Sequence, residues 1–196
     1  MPVSLFPASI REHFEIHEWR HASSILHSDF SEEWQDVVAL LSEFRLCRSW
    51  IERGGGNKSE VARYVDHVLG KRGWIERSFD TSIHVNGEST DSPTHSVDCL
   101  KNRIALEVEW NNKDPFYDRD LNNFRLLFDL RVISVGIILT RSDELQAIFN
   151  QLGRGSSYGA STTHMSKLLP KIAGGGAGGC PLLAFGIRAS LYTEGC

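Results

Sequence analysis

The chain has 196 residues, a formal net charge of -4, and 41% hydrophobic and 23% charged residues. That composition suits one folded domain over residues 1–196 and excludes a disordered or fibrous chain. No apolar run approaches the ~18 to 20 residues that span a bilayer, and no basic segment precedes an apolar core at the N-terminus, so neither a membrane partner nor a secretory signal is expected.

The four cysteines, Cys47, Cys99, Cys180 and Cys196, are widely spaced without a CxxC pair. They read as free thiols in a reducing cytoplasm, not as a zinc site. The acidic balance is only a weak objection to a nucleic-acid partner. Charge acts locally, and Lys101, Arg103, Lys113, Arg119 and further bases populate the rest of the chain.

Phe14 to Trp19 alternates as a short strand. A helix is predicted from Glu32 to Arg45, with Asp29 or Ser31 as its cap and Trp34, Val37, Val38, Leu41 and Phe44 as a core stripe. Gly54-Gly55-Gly56-Asn57-Lys58-Ser59 has Asn57 where a phosphate-binding P-loop needs glycine, and no strand precedes it, so no nucleotide cofactor is expected. Ser59 is placed to cap a helix carrying Val61, Tyr64, Val65, Val68 and Leu69 and ending at Gly70. Lys58 and Ser59 at that N-terminus suit a grip on a DNA phosphate; an ordinary mobile loop is the other reading. Trp74 to Val85 reads as a strand turned by Asn86-Gly87, followed by a polar loop from Glu88 to Ser96.

The stretch from Asp98 to Lys113 carries the chemistry. Ile104, Leu106, Val108 and Trp110 fall on one face of a strand, and Ala105, Glu107 and Glu109 on the other. Like charges side by side repel, so such a face makes sense around a divalent cation with hard oxygen ligands. A hairpin would bring Asp98 beside Glu107. Carboxylate-held metals commonly act on phosphates. Asp, eight residues, then Glu-x-Glu resembles the way the PD-(D/E)xK nuclease superfamily presents its metal ligands, with Glu109 where the commonest version has lysine.

Asp118 to Leu130 is the strongest helix, with Tyr117, Leu121, Phe124, Leu127 and Phe128 as its stripe; Leu126 and Leu130 widen it, for a partner subunit or a thicker core to cover. Val132 to Leu139 reads as a buried strand parallel to a neighbour. Ser142 is the expected cap of a helix ending near Leu152. Gly155-Ser156-Ser157-Tyr158-Gly159 has the G-x-S-x-G spacing of a serine hydrolase, but a helix precedes it and the only later acid is Glu194, which excludes that reading. Ser157, Ser161, Thr162, Thr163 and His164 instead suit contacts to phosphates or base edges. Ser161 suits equally the cap of a helix carrying Met165, Leu168 and Leu169. Gly174 to Gly179 reads as a link and Pro181 to Ile187 as a last buried strand.

In this order the chain resembles the BglII/BstYI group of type II restriction endonucleases. The residues that carry the likeness are Leu69 to Trp74, Val97-Asp98, Lys101 to Glu109, Val135 to Leu139 and Gly179 to Ile187. The resemblance implies an α/β, restriction-endonuclease-like fold, a central mixed sheet flanked by helices. It implies a homodimer around double-stranded DNA and Mg2+-dependent cutting of both strands at a short palindrome, GATC-centred in this group. Asp98 and Glu107 match its metal ligands. Glu109 stands where the group commonly has glutamine, positioned to orient or deprotonate the attacking water. Asn111, Asn112 and Lys113 lie where such enzymes reach base edges. The rivals are a repair or junction nuclease of the same superfamily and a non-catalytic DNA-binding domain.

Overall fold

The computed structural model describes residues 2–53, 58–93 and 95–196. The glycines before Lys58 lie outside them, as does Thr94 in the loop expected before the Asp98 strand. The first half carries α1 (Ala8–His13), β1 (Phe14–Trp19), α2 (Ala22–Asp29), α3 (Ser31–Glu43), β2 (Leu46–Cys47), α4 (Arg48–Glu52) and α5 (Glu60–Gly70). Then come β3 (Ile75–Arg77), β4 (Asp80–Val85), β5 (Glu88–Pro93), β6 (Val97–Lys101) and β7 (Ile104–Val108). The remainder is α6 (Pro115–Asp129), β8 (Val135–Arg141), α7 (Leu145–Gln151), α8 (Met165–Ala173), β9 (Leu182–Ile187) and β10 (Tyr192–Thr193).

Six strands form one mixed sheet in the order β1-β9-β8-β7-β6-β3. Its centre, β7-β8-β9, is parallel, and β1, β6 and β3 run antiparallel to their neighbours. β8 and β9 are buried along their whole length, as strands covered on both faces must be, which is why they read as continuous apolar runs. Alternation of the central strands sorts their side chains into two cores. Leu106, Val108, Ile137, Leu139 and Phe185 face α1, α2, α3 and α5. Ala105, Ile138, Leu182 and Ala184 face the Tyr117, Leu121, Phe124 and Leu127 stripe of α6 and the Met165, Leu168 and Ile172 stripe of α8. The result is an α/β mixed sheet flanked by helices, as expected.

Several local expectations are corrected. Trp74 to Val85 is two strands: β3 joins the main sheet through a bulge against β6, whereas β4 leaves it to pair with β5. Asn86 (φ 52°) and Gly87 (φ 89°) make their turn. The Glu88–Pro93 stretch, expected as loop, is thus a strand, held by its ladder rather than by an apolar face. Helix α3 starts at Ser31 without a side-chain cap bond. Ser142 does not cap α7, which begins at Leu145; Ser161 does not cap α8 either. There the Asp143 carboxylate accepts from Ser166 N (3.0 Å) and Ser166 Oγ (2.7 Å). The largest correction concerns the thiols. Cys47 and Cys196 form a disulfide that ties the chain's end, already paired as β10 to β2, to the start of α4; Cys99 and Cys180 are free and buried.

Candidate active site

Antiparallel pairing of β6 with β7 runs from Lys101↔Ile104 to Cys99↔Leu106. Asn102, at φ 50°, turns the chain between them. One step further that register sets Asp98 opposite Glu107 on the same face. The two are hooked reciprocally: Val108 N donates to Asp98 Oδ2 (3.0 Å) and Asp98 N donates to Glu107 Oε2 (3.3 Å). Beyond β7 the chain stays extended, with Glu109 N donating to Leu139 O of β8 (2.9 Å), so Glu109 stays on the Glu107 face. Both glutamates are 2% exposed.

That face looks at α6, and α6 returns a fourth acid. Asp120 is wholly buried; its Oδ1 accepts from Arg119 Nε (3.0 Å) and Nη2 (2.8 Å). Arg119 Nη2 also lies 3.5 Å from Glu109 Oε1, and Asn112 Nδ2 donates to Glu109 Oε2 (2.9 Å). Glu107 Oε1 and Asp120 Oδ2 are buried with no hydrogen-bond partner among the described residues. Burial, then Asp120 and Asp98 nearby, pushes the Glu107 carboxyl well above its usual range. Burial, then the charge of Asp120 nearby, pushes Glu109 up to about 9. Burial likewise raises Asp120. Carboxylates crowded this way with one half-exposed guanidinium are short of positive charge.

Asp98, Glu109, Asn111, Asn112 and Arg119 open into a cleft of about 720 Å3, and Glu107 and Asp120 are buried behind its wall. Lys58 and Ser59 line it too, although both are engaged: Lys58 pairs with Asp66, and Ser59 Oγ accepts from Ala62 N (3.1 Å) as the expected cap of α5. Asn111 sits at φ 60°, with Oδ1 buried and unpartnered among the described residues. Lys113 is exposed and bridges Thr162 across the backbone. Ser157 and Ser161 are exposed, whereas the side chains of Thr162, Thr163 and His164 are buried. Thr162 Oγ1 donates to Gly159 O (2.8 Å), and His164 Nδ1 meets Thr162 O (2.7 Å).

Arg119, Asp120 and Arg154 are cleft or near-cleft residues that the sequence reading passed over. Arg154 Nε is buried without a partner among the described residues at the cleft wall. Asp120 left a trace in the sequence: it falls three residues after Tyr117 and four before Phe124, on the buried stripe of its helix, where an acid is costly without a purpose.

The family model for the restriction endonuclease BglII/BglIII matches residues 14–187, most of the chain and all of the site just described. The chain belongs to the BglII/BglIII restriction endonuclease family. It is a type II site-specific deoxyribonuclease, and its substrate is DNA. No curated protein matches the chain significantly. Among the described residues no helix is long and apolar enough to cross a membrane. Enzymes of this kind are generally dependent on a divalent metal, and the donor set fits one. Among the described residues no three His, Cys, Asp or Glu side chains converge as a ready cage, but Mg2+ is typically bound through one or two carboxylates, with substrate phosphate and water oxygens completing its shell. Buried carboxylate oxygens short of both partners and positive charge are what such an ion matches.

Proposed function

We propose that this nuclease, acting as one domain, hydrolyses both strands of double-stranded DNA at a short palindrome, GATC-centred, as a homodimer, with Mg2+ as its metal. The observation that carries the reading is the Asp98–Glu107–Glu109 face: Asp98 and Glu109 open into the cleft, Glu107 is buried beside them with Oε1 unpartnered among the described residues, and burial and the neighbouring acids raise both glutamates. Asp98 and Glu107 would hold the ion. When bound, it supplies charge for the phosphoryl oxygens and a lowered pKa for water nearby.

The chain's own residues do the rest. Glu109, fixed by Asn112 and faced by Arg119, in its ionised form orients the attacking water and takes its proton as the oxygen bonds phosphorus; the P–O bond to one sugar breaks and the departing sugar oxygen takes a proton from water. Arg119 offers its remaining donors to a phosphate oxygen in the cleft. Asn111, Asn112 and Lys113, with Ser157 and Ser161 on the adjoining loop, reach base edges and backbone. Asn is the side chain that pairs bidentately with adenine. Thr162, Thr163 and His164 shape that loop from beneath. Lys58 and Ser59 lie against the flanking phosphates.

Asp98→Asn tests the assignment. The variant is expected to bind duplex DNA as the wild type does while cleavage falls by a factor on the order of 100 or more; full cleavage by the variant refutes it. A repair or junction nuclease would share the acids but cut branched duplexes in preference to one palindrome.

A further inference from the structure

The cleft-side segment from Tyr158 to His164 contains no strand of the main sheet and no helix, and three of its residues are held from below by one side chain. Arg141, the last residue of β8, is 1% exposed. Its Nε donates to Thr163 O (3.0 Å), and its Nη2 donates to Tyr158 O (2.9 Å) and Thr162 Oγ1 (2.9 Å). Its guanidinium carbon lies 5.2 Å from the centre of the Phe149 ring and 5.9 Å from that of Tyr158. Among the described residues no carboxylate forms an ion pair with it within 4.0 Å. A buried cation without a counter-ion is costly; here Nη1 reaches Gln146 Oε1 of α7 at 3.5 Å, and the shorter bonds from Nε and Nη2 all go to three residues of one loop.

That loop is in turn joined to the one following the carboxylate strand. Thr163 N donates to Asn112 O (2.8 Å), Asp114 N donates to Ser161 O (3.1 Å), and Lys113 bridges Thr162. The two loops make one ledge, with Asn112 lining the cleft and Lys113 and Ser161 exposed beside it. We propose that Arg141 is a specificity-determining positioning residue: it touches no DNA, but sets the height and register of the ledge that reads it. This rests on the reading that the ledge meets base edges. The planar five-donor fork is essential to the role. Lysine carries the same charge on a single nitrogen and lacks the fixed planar spread of Nε and Nη2 over which the acceptors of residues 158, 162 and 163 are held.

The test is an end-sequenced digest of phage DNA with Mg2+ by purified full-length wild type, Arg141→Lys and Asn112→Ala. For Arg141→Lys, cutting at sites one base away from the preferred one is expected to rise relative to the preferred site by about tenfold or more, the discrimination carried by one bidentate base contact. Simple loss of folded protein would lower both rates together and leave that ratio unchanged. A thermal melt monitors folding. Should Arg141→Lys not fold, Thr162→Val removes the hydroxyl that accepts from Arg141 Nη2 and donates to Gly159 O, and is expected to relax the ratio in the same direction, by less. An unchanged ratio in the folded Arg141 or Thr162 variant overturns the proposal. If Asn112→Ala still shifts the ends, the ledge reads bases without depending on Arg141; if it does not, the reading of the ledge falls as well.

Discussion

Glu109 offers a test that needs no substrate. It is 2% exposed, crowded by Asp120, and its carboxyl is pushed up to about 9 from an ordinary value of 4.5. Without metal, the folded protein therefore holds a proton between those values that the unfolded chain has released. Stability from this group is fully present below about 4.5 and is lost as pH rises toward 9. The slope approaches ~1.4 kcal/mol per pH unit for one proton, so going from about pH 6 to about pH 8 removes roughly 3 kcal/mol. For a chain of this size that is a fall in Tm on the order of 5–10 °C. Glu109→Gln keeps the shape and leaves an amide able to donate to Asp120, but it cannot ionise. Thermal melts in EDTA across this range should show the variant losing up to one proton's worth less stability than wild type, and Mg2+ should raise the wild-type Tm more at about pH 8 than at about pH 6. Parallel pH profiles for the two proteins would refute the burial-and-crowding account of this carboxylate.

Other consequences follow from the same geometry. Arg119→Ala leaves the fully buried Asp120 without its cation and strips a donor from the cleft; stability should fall by about 3 kcal/mol and cleavage by a factor on the order of 100, measured by melt and by initial rates. Gly136→Ala would set a methyl 2.6 Å from Phe124 Cδ2 and 2.7 Å from Leu182 Cδ2. Overpacking between β8 and α6 should cost about 1–3 kcal/mol in a denaturant melt, with the cleft chemistry otherwise intact. The Cys47–Cys196 disulfide closes a sequence separation of 149 residues, so a reducing agent should lower stability by up to about 5 kcal/mol; an alkylation mass shift on two cysteines, not four, in protein denatured without reductant would verify the bond.

What was legible in the sequence was what local periodicity controls. The period-two pattern from Ile104 to Trp110 correctly separated the core face from the carboxylate face, because side-chain direction in a strand depends only on residue parity. The α6 stripe and the β8 and β9 runs were equally plain. Features held by distant partners were not. The cap of α8 comes from Asp143, whose carboxylate accepts from Ser166, 23 residues further on. Strand β5 has no apolar face, since it pairs only with β4 in an exposed hairpin. Cys47 and Cys196 meet only because β10 returns to β2. In the site, the three acids were readable from one stretch of chain, whereas Asp120 and Arg119 reach it from a helix whose other side chains read as packing. The hydroxyl-rich segment after Gly153 offered its side chains as a set; burial divides them, with Ser157 and Ser161 outward and Thr162, Thr163 and His164 inward.

The central claim is tested most directly by incubating phage DNA with the purified protein, with Mg2+ and with EDTA, and sequencing the ends of any fragments. The account predicts discrete fragments with Mg2+ alone, all ending at one short palindrome. Smearing, preference for branched substrates, or no cleavage by folded protein in Mg2+ would contradict it.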